Sequence, residues 1–286
     1  MKRRKAAWQR STVSRQARNR QQGCSHWQKQ GQWVRAETAA ELLEINRRFY
    51  SEFGEAFAAT RHRIQPGVSR ILETIPVETV SDWLDLGCGS GELGRIWAGQ
   101  GRSGSYTGLD FSGPLLLEAE KTTSGLSDDR LTLRYLSGDL MDPDWPENLQ
   151  GRKFDGVLAF ASLHHIPGRE NHLRIFCQVR DLLKREGRFI FSVWQFQNSP
   201  KLMQRVQPWE RAGLKPAHLE NGDTLLDWRH ALPENKEKTG LRYVHLFTED
   251  ELLKLAEECG FTCVNRFYSD GAEGNLGLYF ETKVRS

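Results

Sequence analysis

No stretch of this 286-residue sequence approaches the ~18 uninterrupted apolar residues that a membrane-spanning helix needs. Nor does an apolar core follow the basic N-terminus, as a secretory signal would require. A helical membrane protein and an exported one are therefore not expected, and a cytoplasmic location fits better. Cysteine is scarce and scattered. Cys24, Cys88, Cys177, Cys259 and Cys263 are odd in number and form no CxxC pair, which argues against a disulfide framework and a structural zinc site. Cys259 and Cys263 read as ordinary core or surface residues, and a reducing compartment suits the set. Acidic residues are missing from positions 1 to 36, which hold ten Lys or Arg. The other 250 residues carry 30 basic against 37 acidic side chains, so the net charge of +3 conceals a mildly acidic body and a strongly basic tail.

The tail, 1–37, is rich in Gln, contains Trp8, Trp27 and Trp33, and has no apolar repeat, so it is not expected to fold alone. Three roles are open to it: an extension without function, an RNA-binding arm in which Arg neutralises phosphate and Trp stacks on bases, or an organelle transit segment. Folded structure is expected over 38–286. Thr38-Ala39-Ala40-Glu41 has the spacing of a helix-capping box, followed by Leu42, Ile45, Phe49, Phe53 and Phe57 at helical intervals, which predicts an amphipathic helix over about 39 to 60.

From residue 80, short apolar runs alternate with helical stretches. The pattern predicts strands near 81–86, 105–109, 131–136, 155–160, 187–194, 262–268 and 275–282, with helices near 91–100, 113–122, 169–184 and 248–259. Such alternation belongs to an α/β domain whose mainly parallel sheet is covered on both faces. Residues 195–247, with Pro200, Pro208, Pro216 and Pro233 and no clear period, form an insertion too long for a plain connection, and loops of that length are usually functional.

Chemistry is concentrated in Asp82-Trp83-Leu84-Asp85-Leu86-Gly87-Cys88-Gly89-Ser90-Gly91-Glu92-Leu93-Gly94, a strand running into a glycine-rich turn and a helix. The glycines allow a sharp turn and a close backbone approach to a ligand. Nineteen residues after Gly91 the next strand ends on Asp110, where a carboxylate can accept both hydroxyls of a ribose. A dinucleotide fingerprint is formally matched from Gly89 to Gly94, but its first glycine should directly follow the strand. That residue is Gly87, and the third glycine counted from it would fall on Glu92, whose charge would repel a pyrophosphate. A nucleoside with a charged amino-acid end and no phosphate suits the turn better.

Asp85, Gly87, Gly89 and Gly91 together resemble the first motif of class I S-adenosylmethionine-dependent methyltransferases. Ser137-Gly138-Asp139-Leu140 resembles the motif whose acid meets the adenine amine, and Phe154 to Ile166, with His164 and His165, resembles the fourth strand and its leucine-histidine end. The resemblance implies a Rossmann-like sheet of seven strands, mostly parallel with the last antiparallel, an N-terminal lid helix and an inserted substrate cap over 195–247. It implies S-adenosyl-L-methionine as cofactor, held by Asp85, Gly87, Cys88, Gly89, Gly91, Asp110, Phe111, Asp139, Leu140 and Phe160, with Tyr50 closing the lid.

A narrower likeness concerns the methyl acceptor. Asn46-Arg47-Arg48-Phe49-Tyr50, Phe57 to Arg61, Val193-Trp194, Asp223 to Trp228, and above all Leu241-Arg242-Tyr243-Val244-His245-Leu246-Phe247, are similar to segments of the tRNA wobble-uridine carboxymethyl methyltransferases. That family esterifies a carboxymethyl group. Arg242, with Arg229 as second choice, would then pair with the acceptor carboxylate while Tyr243 and His245 line the pocket. A carboxylate needs no base, whereas a hydroxyl or amine acceptor would need one, and His164 or His165 is the candidate. Trp194, Trp209 and Trp228 could stack on a base or form the core of the cap. Three readings stay open: a tRNA enzyme, with the tail or a small activating protein partner supplying affinity; an enzyme acting on a small-molecule carboxylate or hydroxyl; and a cofactor-binding scaffold without turnover.

Overall fold

The computed structural model describes residues 34–58, 64–231 and 237–285, so most of the basic tail, residues 59–63 and Pro233 lie outside the described residues. Seven strands make the central sheet: β1 (Ser81–Leu86), β2 (Gly104–Asp110), β3 (Leu131–Ser137), β4 (Phe154–Phe160), β5 (Leu183–Trp194), β9 (Phe261–Ser269) and β10 (Gly277–Val284). Their order is β3-β2-β1-β4-β5-β10-β9, with β10 antiparallel to both neighbours and the first five strands parallel. The expected seven-stranded sheet with its last strand reversed is present.

Both faces are covered. Against one lie α2 (Pro66–Glu73) and α3 (Glu92–Gly99), whose Val68, Ile71, Leu72, Leu93 and Trp97 bury with Trp83, Tyr106, Leu158 and Ile190. Against the other lie α5 (Arg169–Leu182) and α7 (Glu249–Glu258), which bring Ile175, Phe176, Val179, Leu252 and Leu255 onto Leu84, Val157, Phe189, Phe191 and Phe280. The α7 start is the one read from sequence: the Thr248 side chain accepts the Glu251 N–H. Because α5 and α7 pack side by side, Cys177 and Cys259, 82 residues apart, meet in a disulfide. This corrects the reading of Cys259 as chemically ordinary, since scatter along the chain says nothing of distance across a helix pair.

Two further corrections concern helices. The lid helix α1 (Ala36–Ala58) begins two residues before Thr38, which is buried inside its first turn and does not cap it. Helix α2 was not expected, although Pro66 at its start and Val68, Ile71 and Leu72 on one face carry the signal. The insertion is also more ordered than its prolines suggest. After a single turn α6 (Pro200–Met203), strands β6 (Val206–Gln207), β7 (Asp223–Ala231) and β8 (Glu237–His245) form a three-stranded antiparallel sheet, and Pro200, Pro208 and Pro216 all precede β7. Helix α1 packs its Leu42 and Phe49 against β8 and its neighbours, and Trp228 of β7 seats on Phe49 and Phe53.

Candidate functional site

At the carboxyl ends of β1, β2 and β4, where the strand order reverses, lies a cavity of about 280 Å³. The turn after β1 makes one wall. Gly87, Gly89 and Gly91 have φ of +77°, +54° and +77°, a region that other residues enter at a cost, so the turn requires its glycines. Beside Gly89 a Cβ would meet nothing within 4 Å, which leaves the backbone open to a ligand; at Gly91 it would lie 2.7 Å from the Ala119 Cβ on α4 (Gly113–Thr122). Gly91 therefore seats α3 on α4 and is not on the cavity wall, unlike Asp85, Gly87, Cys88, Gly89, Asp110, Phe111, Asp139, Leu140, Phe160 and Tyr50, which all are.

Hydrogen bonds fix the acids. Asp110 accepts the Gly89 N–H and the Ser112 N–H, both at 2.9 Å, and so ties the glycine turn to the end of β2. Burial raises its carboxyl above the ordinary range. Asp85 is buried and accepts the Tyr106 hydroxyl; burial, opposed by that bond and reinforced by Asp110, pushes it up to about 7. Burial likewise raises the Cys88 thiol, keeping it protonated and unsuited to nucleophilic work. Asp139 accepts the Met141 N–H at 2.9 Å and pairs with Arg47 of α1 at 2.5 Å. Four acidic side chains (Asp85, Glu92, Asp110, Asp139), of which Asp85 is partly protonated at neutral pH, and one guanidinium, Arg47, face the cavity among the described residues. That balance disfavours a pyrophosphate and suits a ligand carrying positive charge.

The opposite end is assembled from distant segments. Ala161, with φ of +52°, turns the chain after β4 into a 3-10 turn, Leu163–His165. His165 lines the cavity with its Nε2 3.0 Å from the Tyr50 hydroxyl and its Nδ1 3.2 Å from the Tyr243 carbonyl. His164 is buried, stacks on Trp194 and accepts the Trp194 N–H. Arg242 lies behind the wall: its guanidinium sits 5.1 Å from the Phe49 ring and 5.0 Å from the Trp194 ring, and it hydrogen-bonds Tyr50. Burial lowers its pKa and Tyr50 opposes the shift.

Tyr243 and His245 do not reach the cavity. Both side chains turn away to Asp223, the Tyr243 hydroxyl and the His245 Nδ1 each at 2.8 Å, and Glu251 takes the His245 Nε2 at 3.1 Å. The β7–β8 register places Asp223 directly opposite His245, which explains the correction. Burial would depress the His245 imidazole, but hydrogen bonds to the two carboxylates push it up to about 9, so it is a clamped cation. Its neighbour His172, 5.5 Å away between ring centres, is pushed down to about 3 by burial and by His245. Arg229 stands on the opposite face of the sheet from Arg242 and bonds Asp227 at 3.2 Å, so it too is outside the cavity. Trp194 and Trp228 pack on Arg242 and Phe53, and Trp209 packs against the cluster of Leu42, Leu214, Leu219 and Tyr243. Asn46, which the sequence flagged only as part of a longer likeness, is buried at the junction of α1, β8 and His165.

A family model described as a methyltransferase domain matches residues 56–266 of this chain. The chain belongs to that family. The methyltransferase is 23% identical over 235 residues to the tRNA (carboxymethyluridine(34)-5-O)-methyltransferase of Schizosaccharomyces pombe, a match that covers 77% of this chain and 89% of that one. Among solved structures it shares its fold with an S-adenosylmethionine-dependent methyltransferase of Methanosarcina mazei, at 22% identity and a TM-score of 0.55 over 78% of this chain and 98% of that one. It is also similar to the magnesium protoporphyrin IX methyltransferase of Synechocystis, solved with bound SAH, at 19% identity and a TM-score of 0.51 over 77% and 80% of the two chains. The chain thus carries a methyltransferase domain on the fold of solved S-adenosylmethionine-dependent methyltransferases, in line with what the glycine turn and its acids led one to expect. The open space at Gly89, the strand-end carboxylates and the apolar Leu140 and Phe160 fit that cofactor. No described helix is long and apolar enough to cross a membrane.

Proposed function

We propose that the methyltransferase esterifies a carboxymethyl group on the wobble uridine of tRNA. The observation that carries the reading is the buried Arg242 guanidinium, held between Phe49 and Trp194 and bonded to Tyr50 of the cavity wall. Arg242 belongs to the segment most similar to the carboxymethyl methyltransferases, and the likeness to the S. pombe enzyme supports the same substrate.

When bound, S-adenosylmethionine supplies a methyl group on a positively charged sulfur. Asp110 would hold the ribose hydroxyls, Asp139 the adenine amine, and the backbone at Gly87 and Gly89 the amino-acid end. Phe111, Leu140 and Phe160 provide apolar walls. The acceptor carboxylate is ionised at neutral pH, so no group has to remove a proton. What it requires is a cation, which Arg242 supplies, held in place by the Tyr50 hydroxyl. Attack by an anion on a cationic donor disperses charge, which a cavity shielded by α1 favours. His245 and Tyr243, fastened to Asp223, keep β8 and therefore Arg242 in place.

One observation favours a second reading. His165, not Arg242, is on the cavity wall, and its Nε2 could take a proton from a hydroxyl or amine acceptor through the Tyr50 hydroxyl 3.0 Å away. Labelled S-adenosylmethionine offered with bulk tRNA and then with a small-molecule extract separates the two: alkali-labile label on tRNA supports the ester, and label confined to small molecules supports the alternative. Arg242→Ala should lower turnover on tRNA by about a hundredfold while leaving cofactor affinity nearly intact, and full activity in that variant would reject the carboxylate clamp.

A further inference from the structure

Asn46 is 3% exposed, and both its amide hydrogens and its oxygen are bonded. Its Oδ1 accepts the Tyr243 N–H at 2.8 Å, and its Nδ2 donates to the Tyr243 carbonyl at 3.0 Å and to the His165 carbonyl at 3.2 Å. β8 ends the three-stranded sheet, and the N–H and C=O of Tyr243 both bond the Asn46 side chain. A carboxamide satisfies both, as a neighbouring strand would.

The Tyr243 carbonyl has two lone pairs. Asn46 takes one and His165 Nδ1 the other. A carbonyl only accepts, so His165 Nδ1 must carry the hydrogen, and in the neutral imidazole Nε2 is then the acceptor. It faces the Tyr50 hydroxyl, which receives a hydrogen bond from Arg242 and donates its own hydrogen to Nε2. The directions run one way, from Arg242 through Tyr50 and His165 to the Tyr243 carbonyl. Tyr50 lies four residues after Asn46 on the same face of α1, so one helix supplies both the group that fixes the imidazole and the group it meets.

We propose that Asn46 is a positioning residue for methyl transfer: by holding the Tyr243 peptide it locks His165 in the Nδ1–H tautomer and presents Nε2 as an acceptor at the reacting end of the cavity. The inference holds under either acceptor reading. With a hydroxyl acceptor, its oxygen forms the bond to the methyl carbon as the carbon–sulfur bond breaks, the sulfur keeps the electron pair, and the proton passes to the Tyr50 oxygen as Tyr50 gives its own hydrogen to Nε2. With a carboxylate acceptor there is no proton to move, and Nε2 instead orients the Tyr50 hydroxyl.

Long-range proton–nitrogen NMR of the imidazoles, recorded at alkaline pH on the full chain, reads the tautomer without an acceptor. The His165 signal is the one lost in His165→Gln. The wild-type signal should be that of the Nδ1–H form. In Asn46→Ala the two tautomers should mix, S-adenosylmethionine affinity should change by less than about twofold, and turnover in the labelled tRNA and small-molecule assays should fall by about a hundredfold, the cost of small misplacements at a reacting centre. Tyr50→Phe should retain the Nδ1–H form, because the Tyr243 carbonyl sets it. An Nε2–H signal in the wild type, an unchanged Nδ1–H signal in Asn46→Ala, or a switch in Tyr50→Phe would each overturn the assignment. Should Asn46→Ala not fold, the wild-type and Tyr50→Phe signals still decide.

Discussion

The two ends of the cavity are built by opposite means. The cofactor end comes from β1, β2, β3, β4 and the turns that follow them, and the bonds that fix its glycine turn are short in sequence: Gly89 to Asp110 spans 21 residues and Ser112 to Asp110 spans two. The acceptor end joins α1 to the turn after β4 and to β8, through bonds that span 115 and 197 residues. A parallel sheet can place strand-end acids by local rules, whereas the acceptor end exists only once separate parts of the chain have docked. The lesson is that chemistry near the sheet is set by the fold, and substrate choice by what is laid across it.

Variants should fall on one side or the other of that division. The largest effect is expected from Asp110→Ala, which removes the proposed ribose contact and two backbone hydrogen bonds; calorimetry should show S-adenosylmethionine affinity reduced by at least about a hundredfold. Unchanged affinity would break the comparison at its cofactor end, as a large affinity loss in Arg242→Ala would break it at the other.

The two ends should also titrate in different windows. Asp85, raised to about 7, contributes stability that is present below its ordinary value near 3.8 and lost as pH rises through about 7. His245, raised to about 9, contributes stability present below 6.5 and lost as pH rises through about 9, about 3 kcal/mol across that window. Denaturant unfolding from pH 4 to 10 should therefore show the wild type losing its advantage over Asp85→Asn below neutrality and its advantage over His245→Gln above it. Coincident windows would remove the distinction.

The smallest effects come from the glycines. Gly91→Ala forces a left-handed φ and a clash with Ala119, and should cost about 1–3 kcal/mol by thermal melts. Gly89→Ala, with open space around it, should cost less stability and weaken cofactor binding instead.

The same division separates what the sequence discloses from what it hides. Asp85, Gly87, Gly89, Asp110 and Asp139 could be picked out because a glycine turn and strand-end acids recur at short, regular intervals. The β7–β8 hairpin escaped notice: its strands lie between prolines and carry buried residues on both faces, such as Leu225, Leu226, Tyr243 and Val244, so no simple alternation shows. Without the hairpin there is no register, and without the register Asp223 cannot be matched with His245, nor Tyr243 turned away from the cavity. Asn46 was visible only as the first residue of the Asn46-Arg47-Arg48-Phe49-Tyr50 likeness, with no role of its own. Its partners are backbone groups, which leave no mark in composition.

Helix α1 has a consequence for how the molecule is made. It is synthesised before any strand of the sheet, yet the peptide that Asn46 grips lies 197 residues further on. The glycine turn and its acids can assemble once residue 160 has emerged, while Leu42, Phe49 and Phe53 must wait for β8 before they are covered. Lid docking is accordingly a late step of folding, and the growing chain carries an exposed apolar helix through most of its synthesis, a period in which chaperones would find it.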